Sequence, residues 1–335
     1  MAYQQWGTGG LAKEGQLTTF DKRLLNRFRG NIILSKMGFQ RGIPVNGGKS
    51  ISFRRMEAIL GASYAAAYNS GGAYASGPAI LTEGTPGPAL DFTVTEILAT
   101  VAQYGMYSII TDLAENQSID QIVPELVEDY GEAMAEAIEL VTRDILTGGT
   151  NVQYASTGGS RGGVGSGMNL VLKELRTAKR TLLKHNAKGV KSEDQKFVLY
   201  THPDCLFDLE GDANITNIWQ YAGERGNGNQ LFDVVFRDLP FGVRVYESSL
   251  CTVFASLGLS GADVYGNLMF GDEWFGTIDL DALPARVIRK DVGSSGILDP
   301  LDQAGSVGWK CAYAAVILNQ NLGVRIESSS SNSAH

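Results

Sequence analysis

Hydrolytic, redox and metal chemistry draws on histidines, cysteines and clustered carboxylates, and this chain has few of the first two. They are His185, His202 and His335, with Cys205, Cys251 and Cys311. His202 and Cys205 stand at the spacing of half a tetrahedral zinc site, yet the sequence offers no second pair. A histidine before Pro203 is more simply a strand-to-helix junction residue. Three scattered histidines leave little material for acid–base catalysis, and no Ser–His–Asp or Cys–His set can be assembled. Glu125, Glu128, Glu132, Glu136 and Glu139 recur at helical spacing. Carboxylates so placed can bind metal, but with no histidine beside them they read as the solvated face of a helix.

Two glycine-rich stretches invite a nucleotide reading. Gly47-Gly48-Lys49-Ser50 resembles the end of a phosphate-binding loop. Its first glycine would fall at Ile43, Pro44 lies inside it, and a strand follows where the phosphate-holding helix should start. Gly162 to Gly167 precedes a helix as a dinucleotide loop does, but Met168 occupies the third glycine position and no clear strand comes before. A nucleotide-binding enzyme therefore survives only as a competing reading. The expectation is no catalytic residue, no cofactor and no metal: not an enzyme.

The elements that would position any site follow an α+β order, without alternating βαβ units. Near the start, Phe20, Leu24, Leu25 and Phe28 fall at helical spacing between Thr19 as N-cap and Gly30 as stop. So short a helix is marginal alone. It either packs on its own domain or docks on a neighbouring subunit. Ile51 to Arg55 alternates as a strand. A second extended run begins near Asp91, and its phase change predicts a bulge near Thr95-Glu96. Between them, Ala58 to Thr82 contains no charged residue and consists mainly of Ala, Gly, Ser and Tyr. Uncharged loops of that length suit contact with another protein surface, through Tyr64, Tyr68 and Tyr74, or are mobile surface loops.

Ser118 and Gln121 form a capping-box pattern before a long helix that ends near Leu146, ahead of Gly148-Gly149. Its apolar stripe is Val127, Met134, Ile138, Val141 and Ile145. A second helix runs from Leu170 to His185. Lys196 to Tyr200 reads as a buried strand, and His202-Pro203 opens a short helix. Strands then dominate: Val243 to Tyr246, Val264 to Phe270, Arg286 to Ile288, and an extended run from Trp309 to Glu327. The ending SSSSNSAH reads as a disordered tail.

Composition sets outer limits. The chain has 335 residues, enough for one large core or two moderate ones, and its 44% apolar content is globular. Glycine accounts for 41 residues, well above the usual ~7%, which favours bent loops and extended segments. A net charge of −8 argues against a broad basic surface that grips nucleic acid. Three distant cysteines suggest a reducing compartment. The start MAYQQWGTGG lacks the features of a signal peptide, and no apolar run is long enough to span a membrane. A soluble intracellular protein is expected.

Several stretches taken together resemble the N-four-like major capsid proteins of tailed bacteriophages, which share the HK-ninety-seven-like (Johnson) fold. They are LLNRF near the start, GIPVNGGKSISFRR at 42–55, LTEGTPGPALDFTVTEILATVAQYG at 81–105 and TDLAE at 111–115. RDILTGGTNVQYA at 143–155, KFVLYTHPD at 196–204 and DPLDQAGSVGWKCAYAAVILNQNLGVRIE at 299–327 complete the set. The resemblance implies an N-arm over 1–48, an extended E-loop over 49–105, and a peripheral domain over 106–200 and 293–327 with a spine helix at 119–147. It implies an axial domain over 201–292, leaving 328–335 as the tail.

The same resemblance implies a major capsid protein that self-assembles into an icosahedral shell around double-stranded DNA. An encapsulin-like compartment shell is the alternative. The implied partners are other copies in hexamers and pentamers, a separate scaffolding protein, a portal protein, a decoration protein, and packaged DNA held without sequence specificity; no membrane is involved. Assembly would occur in the host cytoplasm, and the product would be the virion capsid. Expected intersubunit contacts are Phe20, Leu24, Phe28, Arg54, Arg55, Tyr64, Tyr68, Tyr74 and Glu83. The E-loop tip carries no lysine, Lys49 lying at its base, so no autocatalytic cross-link is expected.

Overall fold

The computed structural model describes residues 33–44, 48–56, 83–84, 94–117, 122–156, 158–215, 238–239, 241–280, 285–294 and 301–332. In chain order these form α1 (Leu34–Met37), β1 (Phe39–Ile43), β2 (Ser50–Met56), β3 (Val94–Thr100), β4 (Ala102–Thr111) and α2 (Asp112–Gln117). The long helix α3 (Ile122–Thr147), β5 (Val152–Tyr154), α4 (Leu172–Lys184), β6 (Phe197–Thr201) and α5 (Pro203–Glu210) follow. Next come β7 (Asp238–Leu239), β8 (Val243–Glu247), β9 (Thr252–Phe254), β10 (Val264–Phe270) and β11 (Phe275–Leu280). The last are β12 (Arg286–Lys290), β13 (Ala304–Ile317) and β14 (Gly323–Ser328).

A seven-stranded sheet runs in the order β5-β14-β10-β6-β8-β7, with β9 on β10. Its central strand β6 is buried at every position, which explains the unbroken apolar run in the sequence. Phe197 and Leu199 face α4 and α5, where Leu172, Leu175, Leu182, Cys205 and Leu209 lie. Val198 and Tyr200 face the other way, toward Leu34, Leu146, Phe270 and Trp274. Both faces are thus covered, and each fully buried aliphatic side chain contributes about 1.5–3 kcal/mol.

The second sheet is built on β13. β11 pairs with its C-terminal part. β12 and β4 both pair with its N-terminal part and therefore flank it on opposite edges. β1 lies parallel to β11. Strand alternation gives β13 two different surfaces. Trp309, Cys311, Tyr313 and Ala315 meet α3 through Tyr130, Met134, Ile138, Val141 and Ile145. Ala312 and Ala314 instead meet Ile43, Ala99, Val101 and Ile278. Pro124 sits in the first turn of α3, where no intrahelical donor is lost.

Three expectations need correction. β2 and β3 pair without interruption from Ser50↔Thr100 to Met56↔Val94, so there is no bulge at Thr95-Glu96. The phase of apolar residues changes because the outer face of this ribbon itself carries Val94 and Leu98. Glu139 is not solvated with the other glutamates: it is fully buried and accepts three backbone N–H groups. The serine-rich ending is ordered through Asn332, with Ser328, Ser329 and Ser330 buried. Small hydroxyl side chains fit there because each finds a partner: Ser328 Oγ accepts from Asn267 Nδ2, Ser329 Oγ donates to Asn169 Oδ1, and Ser330 Oγ donates to the Asp204 carbonyl.

Sheet membership does not follow chain order. β11 and β12, inside 201–292, belong to the sheet of β13, whereas β5, β6 and β14 join β8 and β10. The capping pair Ser118 and Gln121 and the arm helix at 20–28 lie outside the described residues.

Candidate intersubunit surface

The β2–β3 ribbon is the element that leads to the long uncharged segment. Along both strands, alternate residues are exposed and half-buried. Ile51, Phe53 and Ala99 enter the core with Ile43 and Ile278, which fixes the base. On the outer face, Ser52 Oγ donates to Glu96 Oε1 at 2.6 Å, and the hydroxyls of Ser50 and Thr100 are 3.1 Å apart. Met56, Val94 and Leu98 share that face and are 67%, 44% and 63% exposed. An isolated two-stranded ribbon is marginal in water, and an apolar outer face calls for cover.

Of the expected contact residues, Arg54 lies on this outer face, directly across from Glu96. Arg55 points the other way, and its Nη1 donates to the Leu318 carbonyl of its own chain at 2.9 Å. Glu83 stands in an exposed turn with Gly84, whose φ of +81° suits glycine. Phe20, Leu24, Phe28, Tyr64, Tyr68 and Tyr74 lie outside the described residues.

Two features of this surface were not read from the sequence. The arm is tied to α3 at a single carboxylate. Glu139 Oε1 accepts from Ile33 N–H at 2.9 Å and from Leu34 N–H at 2.7 Å, while Oε2 accepts from Ser35 N–H at 2.9 Å. The second feature is a bare half-sheet. β4 pairs only with β13 among the described strands, and Tyr107 and Ile109 on it are 74% and 64% exposed. The register places Arg286, Ile288 and Lys290 on the same face as Ser306, Gly308 and Lys310, and as Gly105, Tyr107 and Ile109. There the surface forms an open groove of about 490 Å³. Gly308 makes it possible, because a Cβ at that position would come within 2.6 Å of the Met106 carbonyl and of Tyr107 Cβ. The sequence shows Gly105 and Gly308, but without the register they name no face.

Polar groups elsewhere are arranged as structure. Glu327 is fully buried between two guanidinium groups: Arg161 Nη2 donates to Oε1 at 2.7 Å and Nε to Oε2 at 2.9 Å, and Arg325 Nε donates to Oε1 at 2.8 Å. The bond to Glu327 raises the Arg161 pKa above its ordinary value. His202 caps α5 by accepting from Asp204 N–H at 3.3 Å, and burial holds its pKa below the usual imidazole range. Tyr265 OH donates to Asp204 Oδ2 at 2.9 Å, and burial, with the neighbouring Asp204, pushes its phenol up. Burial pushes the Cys205 thiol up to about 12 and the Cys251 thiol higher still. Such thiols are inert, not nucleophilic. Among the described residues no cluster of His, Cys, Asp and Glu could hold a metal ion. No helix among them is long and apolar enough to cross a membrane.

The sequence model of one family, described as phage capsid protein, matches residues 93–321. The chain belongs to that family.

As a capsid protein it shares its fold with solved phage shells. The capsid of Ralstonia phage GP4 aligns with a TM-score of 0.69 at 10% identity, covering 98% of both chains. The acid-stable capsid of Helicobacter pylori bacteriophage KHP30 gives 0.70 at 9% identity over 95% of this chain and 96% of that one. The capsid of cyanophage P-SCSP1u gives 0.64 at 14% identity over 95% and 94%. No curated protein matches the sequence. The fold is therefore the α+β HK-ninety-seven-like capsid fold. The protein is a major capsid protein, a structural subunit of a phage shell. The family match favours a phage shell over a cargo-holding compartment.

Proposed function

We propose that the shell is held by many modest contacts in which the β2–β3 ribbon of one capsid subunit lies across a neighbour. The observation that carries this reading is the ribbon's outer face, where Met56, Val94 and Leu98 are exposed on an element too thin to be stable alone. Tyr64, Tyr68 and Tyr74, on the segment that the ribbon carries, extend the contact, and the arm bearing Phe20, Leu24 and Phe28 clasps a second neighbour. Each contact is weak enough to correct errors, while their number makes the closed shell stable.

A separate scaffolding protein would guide assembly in the host cytoplasm, and a portal protein would occupy one vertex. Packaged DNA would be enclosed without sequence-specific contacts. The chain's role in this scheme is structural and not catalytic. Deleting residues 61–80 tests the reading. The expected result is a folded, soluble subunit that fails to close shells by negative-stain electron microscopy. Normal particles from the deletion would overturn it.

A further inference from the structure

Helix α4 carries its charge in a single row. Lys173, Arg176, Arg180 and Lys184 are exposed and follow one another at helical spacing, so they share one face. The opposite face buries Leu172, Leu175, Ala178 and Leu182 against the seven-stranded sheet. Glu174, the one carboxylate in the helix, is turned inward: it is 6% exposed and accepts from Gln153 Nε2 at 2.8 Å and from Ser156 N–H at 3.2 Å. Among the described residues no carboxylate pairs with the four cations. In a chain of net charge −8, the row is a local inversion of sign.

The row is also clear of the surfaces read above as contacts between copies. α4 lies with α5 on one face of its sheet, whereas Leu34 of the arm and Leu146 of α3 lie on the other. The β2–β3 ribbon is rooted in the second sheet. On α4 itself Leu183, 51% exposed, is the one large apolar side chain left bare. A protein partner is held by an apolar centre with charges at its rim. A row of cations without such a centre suits phosphates instead. At 1.5 Å per residue it runs about 16 Å, over which one DNA strand presents about five phosphates. Long cationic side chains reach phosphates without reading bases. On the reading that the chain is a shell subunit around DNA, we propose that this face of α4 is where the shell touches the packaged duplex, each cation meeting a backbone phosphate. Repeated at every copy, the row gives an otherwise acidic wall evenly spaced points of attraction.

Salt titration of DNA binding by the full-length protein tests this, read by fluorescence anisotropy of a short duplex. Four phosphate contacts should lower the wild-type affinity on the order of 100-fold between about 50 and 200 mM salt, equally for two unrelated sequences. Combining Lys173→Gln, Arg176→Gln, Arg180→Gln and Lys184→Gln should make the slope of log affinity against log salt shallower by about 3–4, close to one per contact removed. The melting temperature and circular dichroism should stay at wild-type values, because the altered groups are solvated. Lys191→Gln with Arg289→Gln, which removes cations elsewhere, should leave the slope unchanged. A second variant reads position inside the particle. Arg180→Cys, carrying a thiol-linked photo-crosslinker in filled shells, should couple to DNA, against the wild-type background of three buried cysteines. A slope that the fourfold variant does not change would overturn the inference, as would an equal change in the Lys191 and Arg289 control. Crosslinks to protein alone would also overturn it and assign the row to a protein partner, with the shell role intact. Failure of the unmodified protein to form shells would instead remove the shell reading beneath it.

Discussion

Leu34 donates its backbone N–H to Glu139 Oε1 at 2.7 Å, across 105 residues of sequence, and both residues are closed to solvent. Ile33 and Ser35 donate to the same carboxylate, so one side chain on α3 fixes where the N-terminal arm leaves the body. Glu139→Ala would strand three backbone donors. The expected loss is about 2–4 kcal/mol in urea unfolding, with earlier proteolysis near residue 33. Glu139→Gln keeps one acceptor oxygen and should lose less. Equal stability of the alanine variant and wild type would show that the clasp contributes nothing.

Glu327 holds Arg161 and Arg325 together inside the seven-stranded sheet. Removing the carboxylate leaves two guanidinium groups with a lost partner in a largely buried place. Glu327→Ala is expected to destabilise by about 3–5 kcal/mol. Because the Arg161 pKa is raised from an already high value, Arg161 should add no pH dependence near neutrality. Unfolding curves at several pH values check both statements.

His202 gives the opposite case. Its pKa is lowered in the folded protein, chiefly by burial, with Asp204 opposing the shift. The unfolded chain therefore binds the proton more readily, and stability should fall as pH drops through the ordinary imidazole range near 6.5. Protonation also removes the ring nitrogen that accepts from Asp204 N–H. His202→Asn retains a capping acceptor and should flatten the melting temperature between pH 7 and 5.

Cys205, Cys251 and Cys311 are buried, and burial raises all three thiols. A thiol-exchange reagent should titrate none of them in the native protein and all three in denaturant. A fast-reacting native thiol would contradict the packing around β6 and β10.

Residues 57–93 contain no lysine, and Lys49 immediately precedes β2. Denaturing gels of mature shells should show a single monomer band. A ladder without added oxidant would reveal a covalent bond between subunits.

Much of this was legible because local and tertiary demands agree. Phe197 to Thr201 is apolar throughout because both faces of β6 are covered, and His202-Pro203 starts a helix because both residues suit that junction. The stripe Met134, Ile138, Val141 and Ile145 named the face of α3 that meets β13. Glu139 was not legible: it occupies one place in a row of five glutamates, and only the approach of Leu34 tells it apart. The serines at 328–330 looked like a tail because burying hydroxyls is costly without partners, and their partners lie far away in the sequence, at Asn267 and Asp204. The cationic groove needed the register of β4, β12 and β13, which no single segment contains.

Only Val101 separates β3 from β4, and β4 pairs with β13 at ten successive positions from Ala102↔Tyr313 to Thr111↔Ala304. A pull on the ribbon therefore reaches the body through Val101 and the first pair of that ladder, Ala102↔Tyr313. Ladder bonds loaded lengthwise share the tension, whereas bonds opened from one end would break in turn. On the proposed contact between neighbours, a load on the ribbon would be borne by this ladder. The ribbon is thin, but its mooring is a ten-pair seam whose far side rests on the longest helix among the described residues.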